Sequence, residues 1–138
     1  MSRKTEKIAA ALEPFRGKDL DPHYLGFVDH FNRQLFYEAH DVLEELWLGQ
    51  RQGPEGAFSK GLIQLAGAFV HLQKNRLRPA AALFKLSRGN LNKYPRIYQR
   101  LDLAATLLMI EEWLERLEET DFAANPLDLG IMPKLHLM

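Results

Sequence analysis

His40 and Glu44 stand four residues apart in FYEAHDVLEELW, residues 36 to 47. That spacing stacks two side chains on successive turns of an α-helix, within reach of one ion or one hydrogen bond. Two chemistries follow. A neutral imidazole and a carboxylate on one face can ligate zinc or another divalent metal, as two of the three or four protein ligands such a site takes. Alternatively the carboxylate holds the imidazole in one tautomer and raises its basicity, as in a general-base pair. Advancing about 100° per residue, Phe36, Leu43 and Trp47 share one line, with His40 at its edge, Glu44 one step outward and Tyr37 beyond. Asp41, Glu38 and Glu45 fall on the far side, where solubility explains them.

Any further ligand must come from another helix. Gln64 is a lone amide in the most apolar stretch, and His71, seven residues on, shares its side. His30 is a weaker candidate, Tyr37 could bring a phenol to the edge of the site, and Trp47 would form its wall. A reading without function stands beside this one. A histidine at the rim of an apolar face is satisfied by a neighbouring carboxylate as an ordinary core residue, and Trp47, Gln64 and His71 suit packing equally well.

The elements that must position these residues read as helical throughout, which predicts an all-α fold: a single compact bundle of five to six helices built from antiparallel hairpins. A first helix spans residues 4–13 and stops before Pro14. Asp21-Pro22 reads as an N-cap with proline in the first turn of a helix ending near Asn32-Arg33-Gln34. The His40 helix runs from Phe36 to about Gly49, and a breaker loop from Gly49 to Gly56 follows. Phe58 to about Asn75 is apolar nearly all round, with Gly61, Ala66, Gly67 and Ala68 small enough for close helix approach, so it should be the buried centre. Pro79 opens the next helix, which Pro95 ends. Leu103, Leu107, Ile110, Leu114 and Leu117 then form the strongest amphipathic stripe. The tail, residues 121–138, reads as irregular, with Leu127, Leu129, Ile131, Leu135 and Leu137 packing it along the body. No convincing alternating strand is present.

A faint internal echo pairs Asn32 with Asn75 at an offset of 43, matching Ala39 with Ala82 and Leu43 with Leu86. Both segments follow one helix and open another. The second hairpin carries tetratricopeptide-like small and aromatic positions (Gly67, Ala68, Ala80, Phe84), although a solenoid needs about three units.

The 138 residues suit one domain, 1–138. With no cysteine, disulfides, thiolate ligands and cysteine nucleophiles are excluded, and any metal must be held by His, Asp or Glu. No leader-like stretch and no apolar run of membrane-spanning length is present, which predicts a cytoplasmic protein with no membrane partner. Charge balances at 18 basic and 18 acidic residues but is segregated. Residues 56–101 hold Lys60, Lys74, Arg76, Arg78, Lys85, Arg88, Lys93, Arg96 and Arg100 without an acid, whereas Glu111, Glu112, Glu115, Glu118, Glu119 and Asp121 crowd the last helix. The basic block offers a face for nucleic acid or a protein partner; zero net charge and the lack of a nucleic-acid motif favour solvated bases, or bases turned toward the acidic helix. The leucine stripes and apolar tail also permit a homo-oligomer. No nucleotide loop, nucleophile elbow or complete metal triad is present, so no catalytic or cofactor-binding residue is assigned.

FNRQLFYEAHDVLEELW followed by GLIQLAGAFVHL resembles the domain-of-unknown-function family numbered 309, small helical proteins with the pattern HxxxExx(W/Y). His40, Glu44 and Trp47 carry that pattern here. The resemblance covers about residues 27–90 and leaves out the first helix and the tail. It implies a compact helical bundle and a motif suspected of binding metal, and it transfers no activity, because the family has none assigned.

Overall fold

The computed structural model describes residues 3–138. It is all-α, as the periodicity predicts, with helices α1 (Arg3–Leu12), α2 (Pro22–Asn32), α3 (Phe36–Leu48), α4 (Gly56–Gln73), α5 (Leu77–Leu91) and α6 (Leu103–Glu119). Three short segments were not foreseen, one of them a 3-10 turn at Pro126–Leu129 in the tail. A 3-10 turn at Glu13–Phe15 carries the chain through Pro14, and a hairpin pairs β1 (Ile97–Tyr98) with β2 (Leu101–Asp102) antiparallel. Strands of two residues are too short to display the alternation that reveals a strand in sequence. Asp21 caps α2 as expected, its side chain accepting from the His23 amide at 2.8 Å. Pro79 lies inside the first turn of α5 rather than opening it, a place where no amide hydrogen is needed.

The core explains the arrangement. Phe27, Phe31, Phe36, Leu43, Leu62, Leu65, Phe69, Leu72, Phe84 and Leu117 are sealed from solvent in one cluster with Trp113. α4 contributes buried residues on most of its circumference, from Phe58 to Leu72, so it takes neighbours on several sides, α3 and α5 foremost. A side chain on Gly61 would stand 2.8 Å from Leu91, which is why only glycine lets these two helices come so close. The Ser87 hydroxyl uses that proximity to donate to the Gly61 carbonyl at 2.7 Å.

The internal echo is structural, but its register is 41 rather than 43. α2 and α4 end in the same turn. Gln34 and Asn75 both take the left-handed conformation (φ 65° and 57°), and the Leu35 and Arg76 amides reach back five residues to the His30 and His71 carbonyls at 2.9 and 2.8 Å. This is the Schellman closure of a helix end. In that register Gly26 matches Gly67, His30 matches His71 and Ala39 matches Ala80. The sequence offset paired two Asn-Arg dipeptides by type, although Asn32 is the last helical residue and Asn75 the turn residue. α6 closes similarly, the Phe122 amide bonding the Leu117 carbonyl at 2.9 Å, but there the chain leaves as the tail.

The tail is less uniformly packed than its leucines suggest. Leu135 is 3% exposed and joins the core, and Leu127 is partly covered, whereas Leu129 is 65% exposed and Ile131 also faces solvent.

The close approach of α4 and α5 predicts opposite outcomes for one substitution at two helical glycines. Gly61→Ala should destabilise by about 1 kcal/mol, overpacking against Leu91 outweighing the gain in helix propensity. Gly89→Ala, which meets nothing within 4 Å, should stabilise by about 0.5–1 kcal/mol. Urea denaturation of both variants checks the two signs.

Candidate functional site

α3 must turn Phe36, Ala39, Val42 and Leu43 inward, which leaves His40, Asp41 and Glu44 at the rim. Both ring nitrogens of His40 face carboxylates. Nε2 is 3.6 Å from Glu44 and Nδ1 is 3.4 Å from Asp41. The Lys4 ammonium of α1 adds the opposite charge, 3.4 Å from Asp41 and 3.9 Å from Glu44. Asp41 is thus not a solubilising residue on the outer face. α1 lies across it, held by Ile8 and Leu12 packed with Val42. Glu45 is likewise engaged, 3.0 Å from Nε2 of His23. The helical wheel of α3 could not anticipate either contact, because both come from other helices.

Beside this cluster runs a cleft of about 450 Å³, lined by Arg3, Lys4, Lys7, Tyr37, Glu38 and Asp41 among others. Tyr37 is 57% exposed and offers its phenol to that opening. Trp47 sits further along α3, partly covered, with the Lys60 ammonium of α4 over its ring at 4.3 Å and the Arg51 guanidinium at 5.8 Å. Cations at these distances are attracted by the electron-rich ring face.

The residues expected to close the site from α4 are otherwise occupied. Gln64 accepts from the Asn90 amide of α5 at 2.8 Å. His71 carries a buried Nδ1 without a hydrogen-bond partner, and burial, then the charges of Arg76 and Lys74, pull its pKa below the ordinary value of 6.5. Neither shares a hydrogen bond with His40 or Glu44. Nδ1 of His30 lies 2.6 Å from the Gly26 carbonyl, and since that oxygen can only accept, this nitrogen carries the hydrogen and anchors the helix. Among the described residues no group of three or more His, Asp or Glu side chains is placed to hold a metal ion. His40 and Glu44 supply two donors.

A second polar network escaped the sequence reading. The Tyr98 hydroxyl donates to Glu55, and Gln99 donates to the same carboxylate at 3.2 Å. Ionising Tyr98 would break that bond and set two anions together, so its pKa is pushed up to about 12, with burial adding to the effect. Burial of Tyr24, whose hydroxyl donates to the Gln99 carbonyl at 2.9 Å, raises its pKa as well. Only Lys60, one turn before Gln64 on the same face, had a signal in the spacing. Lys4 and Glu55 are distant in sequence from their partners and had none.

Comparison with known proteins gives one family match. Residues 24–83, from α2 into α5, match the family described as Domain of unknown function (DUF309). The matched span includes His40, Glu44 and Trp47, and the resemblance read from the sequence is borne out. No curated protein and no solved structure matches the chain.

His71 gives a pH prediction. Its folded pKa lies below its unfolded one, so protonation favours the unfolded chain: stability is full above about pH 6.5 and declines as pH falls below it. The melting temperature of His71→Gln should therefore fall less between pH 7.5 and pH 5 than that of the parent. Parallel thermal melts at the two pH values check this, and equal falls would contradict it.

Proposed function

We propose that the chain is a binding module whose contact surface is the ledge of His40, Glu44, Trp47 and Lys60 along the seam of α3 and α4. The Lys60 ammonium over the half-covered face of Trp47 carries this reading. An aromatic face, a cation and, one turn away, a carboxylate paired with an imidazole make a mixed surface of the kind that anchors protein partners, where tryptophan is a favoured hot spot. The charged groups around His40, two carboxylates and the Lys4 ammonium, suit recognition of a polar partner surface. A cytoplasmic setting is assumed. The basic block counts for less than its length suggests: Arg88 pairs with Glu111 at 2.7 Å, Arg100 with Asp19 at 2.9 Å, and Arg78 lies over Phe122. A nucleic-acid partner and self-association are thus secondary to a protein partner at the ledge.

Affinity capture with the parent and with Trp47→Ala and His40→Ala variants of unchanged helicity tests the reading. A partner held by the parent should be lost with both, Trp47→Ala weakening it by about 2 kcal/mol, roughly 30-fold. Equal capture by parent and variants sinks the ledge as the contact surface.

The 3.6 Å approach of His40 to Glu44 across one helical turn favours a second reading, a divalent metal held by this pair after Lys4 withdraws. That reading expects metal in tag-free protein by elemental analysis. It also expects zinc to raise the melting temperature of the parent but not of His40→Ala. A metal-free protein indifferent to zinc, manganese, iron and nickel would remove it.

A further inference from the structure

The last six residues are held in a manner unlike the rest of the fold. Asn32, at the end of α2, clamps one residue of the tail through its backbone: its Nδ2 donates to the Leu135 carbonyl at 2.9 Å, and its Oδ1 accepts from the Leu135 amide at 2.7 Å. Gln34 donates to the Pro133 carbonyl at 2.9 Å. Further on, the tail pairs with the free edge of β2. Leu137 lies opposite Leu101 in an antiparallel bridge, the Asp102 amide donates to the His136 carbonyl at 2.9 Å, and the Met138 amide donates to the Arg100 carbonyl at 2.6 Å. Arg100 Nε returns a bond to the Met138 carbonyl at 2.9 Å. Most of these contacts read main chain; of the side chains, Lys134 donates to the Asn32 carbonyl, and Pro133 and Leu135 are buried, Leu135 within the apolar core. Backbone pairing at a sheet edge for affinity, with a pocket for one side chain, is how domains recognise extended peptides by strand addition.

The receiving edge is built at a cost. Gln99 and Arg100, the two residues of the hairpin turn, both adopt the left-handed conformation (φ 50° and 62°), which such turns normally give to asparagine and glycine. Tyr24, Glu55 and Asp19 hold them there through side-chain bonds. Strain maintained by its surroundings is a mark of a clamp. The segment leading into the groove is lightly tied, by contrast. Leu129, Ile131 and Met132 are exposed, and Gly130, with φ 75°, supplies a swivel.

We propose that the groove bounded by Asn32, Gln34 and β2 is a peptide-recognition site, occupied within the chain by its own segment Pro133–Met138, and that it accepts in trans an extended, leucine-bearing segment of a partner protein. A second copy of the chain is the poorer occupant. Its tail would make the same contacts as the resident one, which holds the advantage of high effective concentration. A partner segment that keeps a donor for the Asn32 carbonyl where the Lys134 ammonium now bonds it, and carries a better side chain at the exposed His136 position, would win. This groove is separate from the His40 ledge and does not depend on it.

The test keeps the whole chain. A recognition sequence for a site-specific protease is inserted between Gly130 and Ile131, the folded protein is cut there, and a fluorescent peptide of residues 131–138 is added. Saturable exchange of the cut tail for the peptide is expected by anisotropy. A Leu135→Asp peptide and an Asn32→Ala chain should each bind at least about tenfold more weakly, and the uncut chain should bind the peptide far more weakly than the cut one. Four results would overturn the proposal: a cut tail that peptide in excess never displaces, helicity lost on cutting, equal binding of the Leu135→Asp peptide, or a tail-exchanged dimer of the uncut chain.

Discussion

Four helices meet on one ring. Phe69 of α4 stacks on Phe36 of α3 at 4.9 Å between centroids and receives Phe31 of α2, Phe84 of α5 and Trp113 of α6 edge-on at 5.6, 5.2 and 4.9 Å. Each such pair contributes about 0.5–1.5 kcal/mol beyond its buried area, and all of them share a single side chain. The rotation of every surrounding helix is set by this contact. Phe36, with Ala39 and Leu43, must face Phe69, which turns His40 and Glu44 to the rim of α3 and Trp47 toward Lys60. The candidate site is thus a consequence of the core.

This dependence separates what the sequence could show from what it could not. α4 was legible because a run that is apolar all round can only be an interior helix, and the facing of α3 was legible because its aromatic and aliphatic stripe is unambiguous. Asp41 was misplaced because its environment is made by Lys4, thirty-seven positions earlier in the sequence, on a helix whose docking no periodicity encodes. Gln64 was legible as a lone amide in the apolar stretch of α4, yet which neighbour its amide meets depends on α5, whose Asn90 reaches it first. The repeat was seen in the wrong register for a related reason: residue types were matched, whereas the shared feature is a backbone turn that Gln34 and Asn75 enter alike.

The 41-residue register also clarifies the flanks. In the first hairpin Gly26 lies against Leu12 of α1 and Val42 of α3, whereas in the second Gly67 meets Leu83, the counterpart of Val42. α1 therefore covers an end of the stack that a preceding unit would otherwise fill. At the other end α6 repeats the helix closure and is followed by a short 3-10 turn at Pro126–Leu129, and the tail takes its course from there, Asn125 donating to the Leu72 carbonyl at the end of α4 at 2.6 Å. Terminal caps of this kind are what a short stack of hairpins requires, since an open end would expose its apolar face.

Both caps lie outside the family-matched segment of residues 24–83, and both set their groups against polar residues inside it. Lys4 meets Asp41 and Glu44; the tail backbone meets Asn32 and Gln34. An ammonium against paired carboxylates and an extended strand against an asparagine clamp are interactions that a cation or a partner segment would make in the same places. The two flanks differ in depth: α1 packs in a small cluster of its own with Val42, whereas the tail sends Leu135 into the same core that holds Phe69. The polar positions of the matched segment are therefore covered by the flanks, through surface charge at α1 and through backbone bonds beside a buried leucine at the tail, and the flanks decide which of these positions stand open.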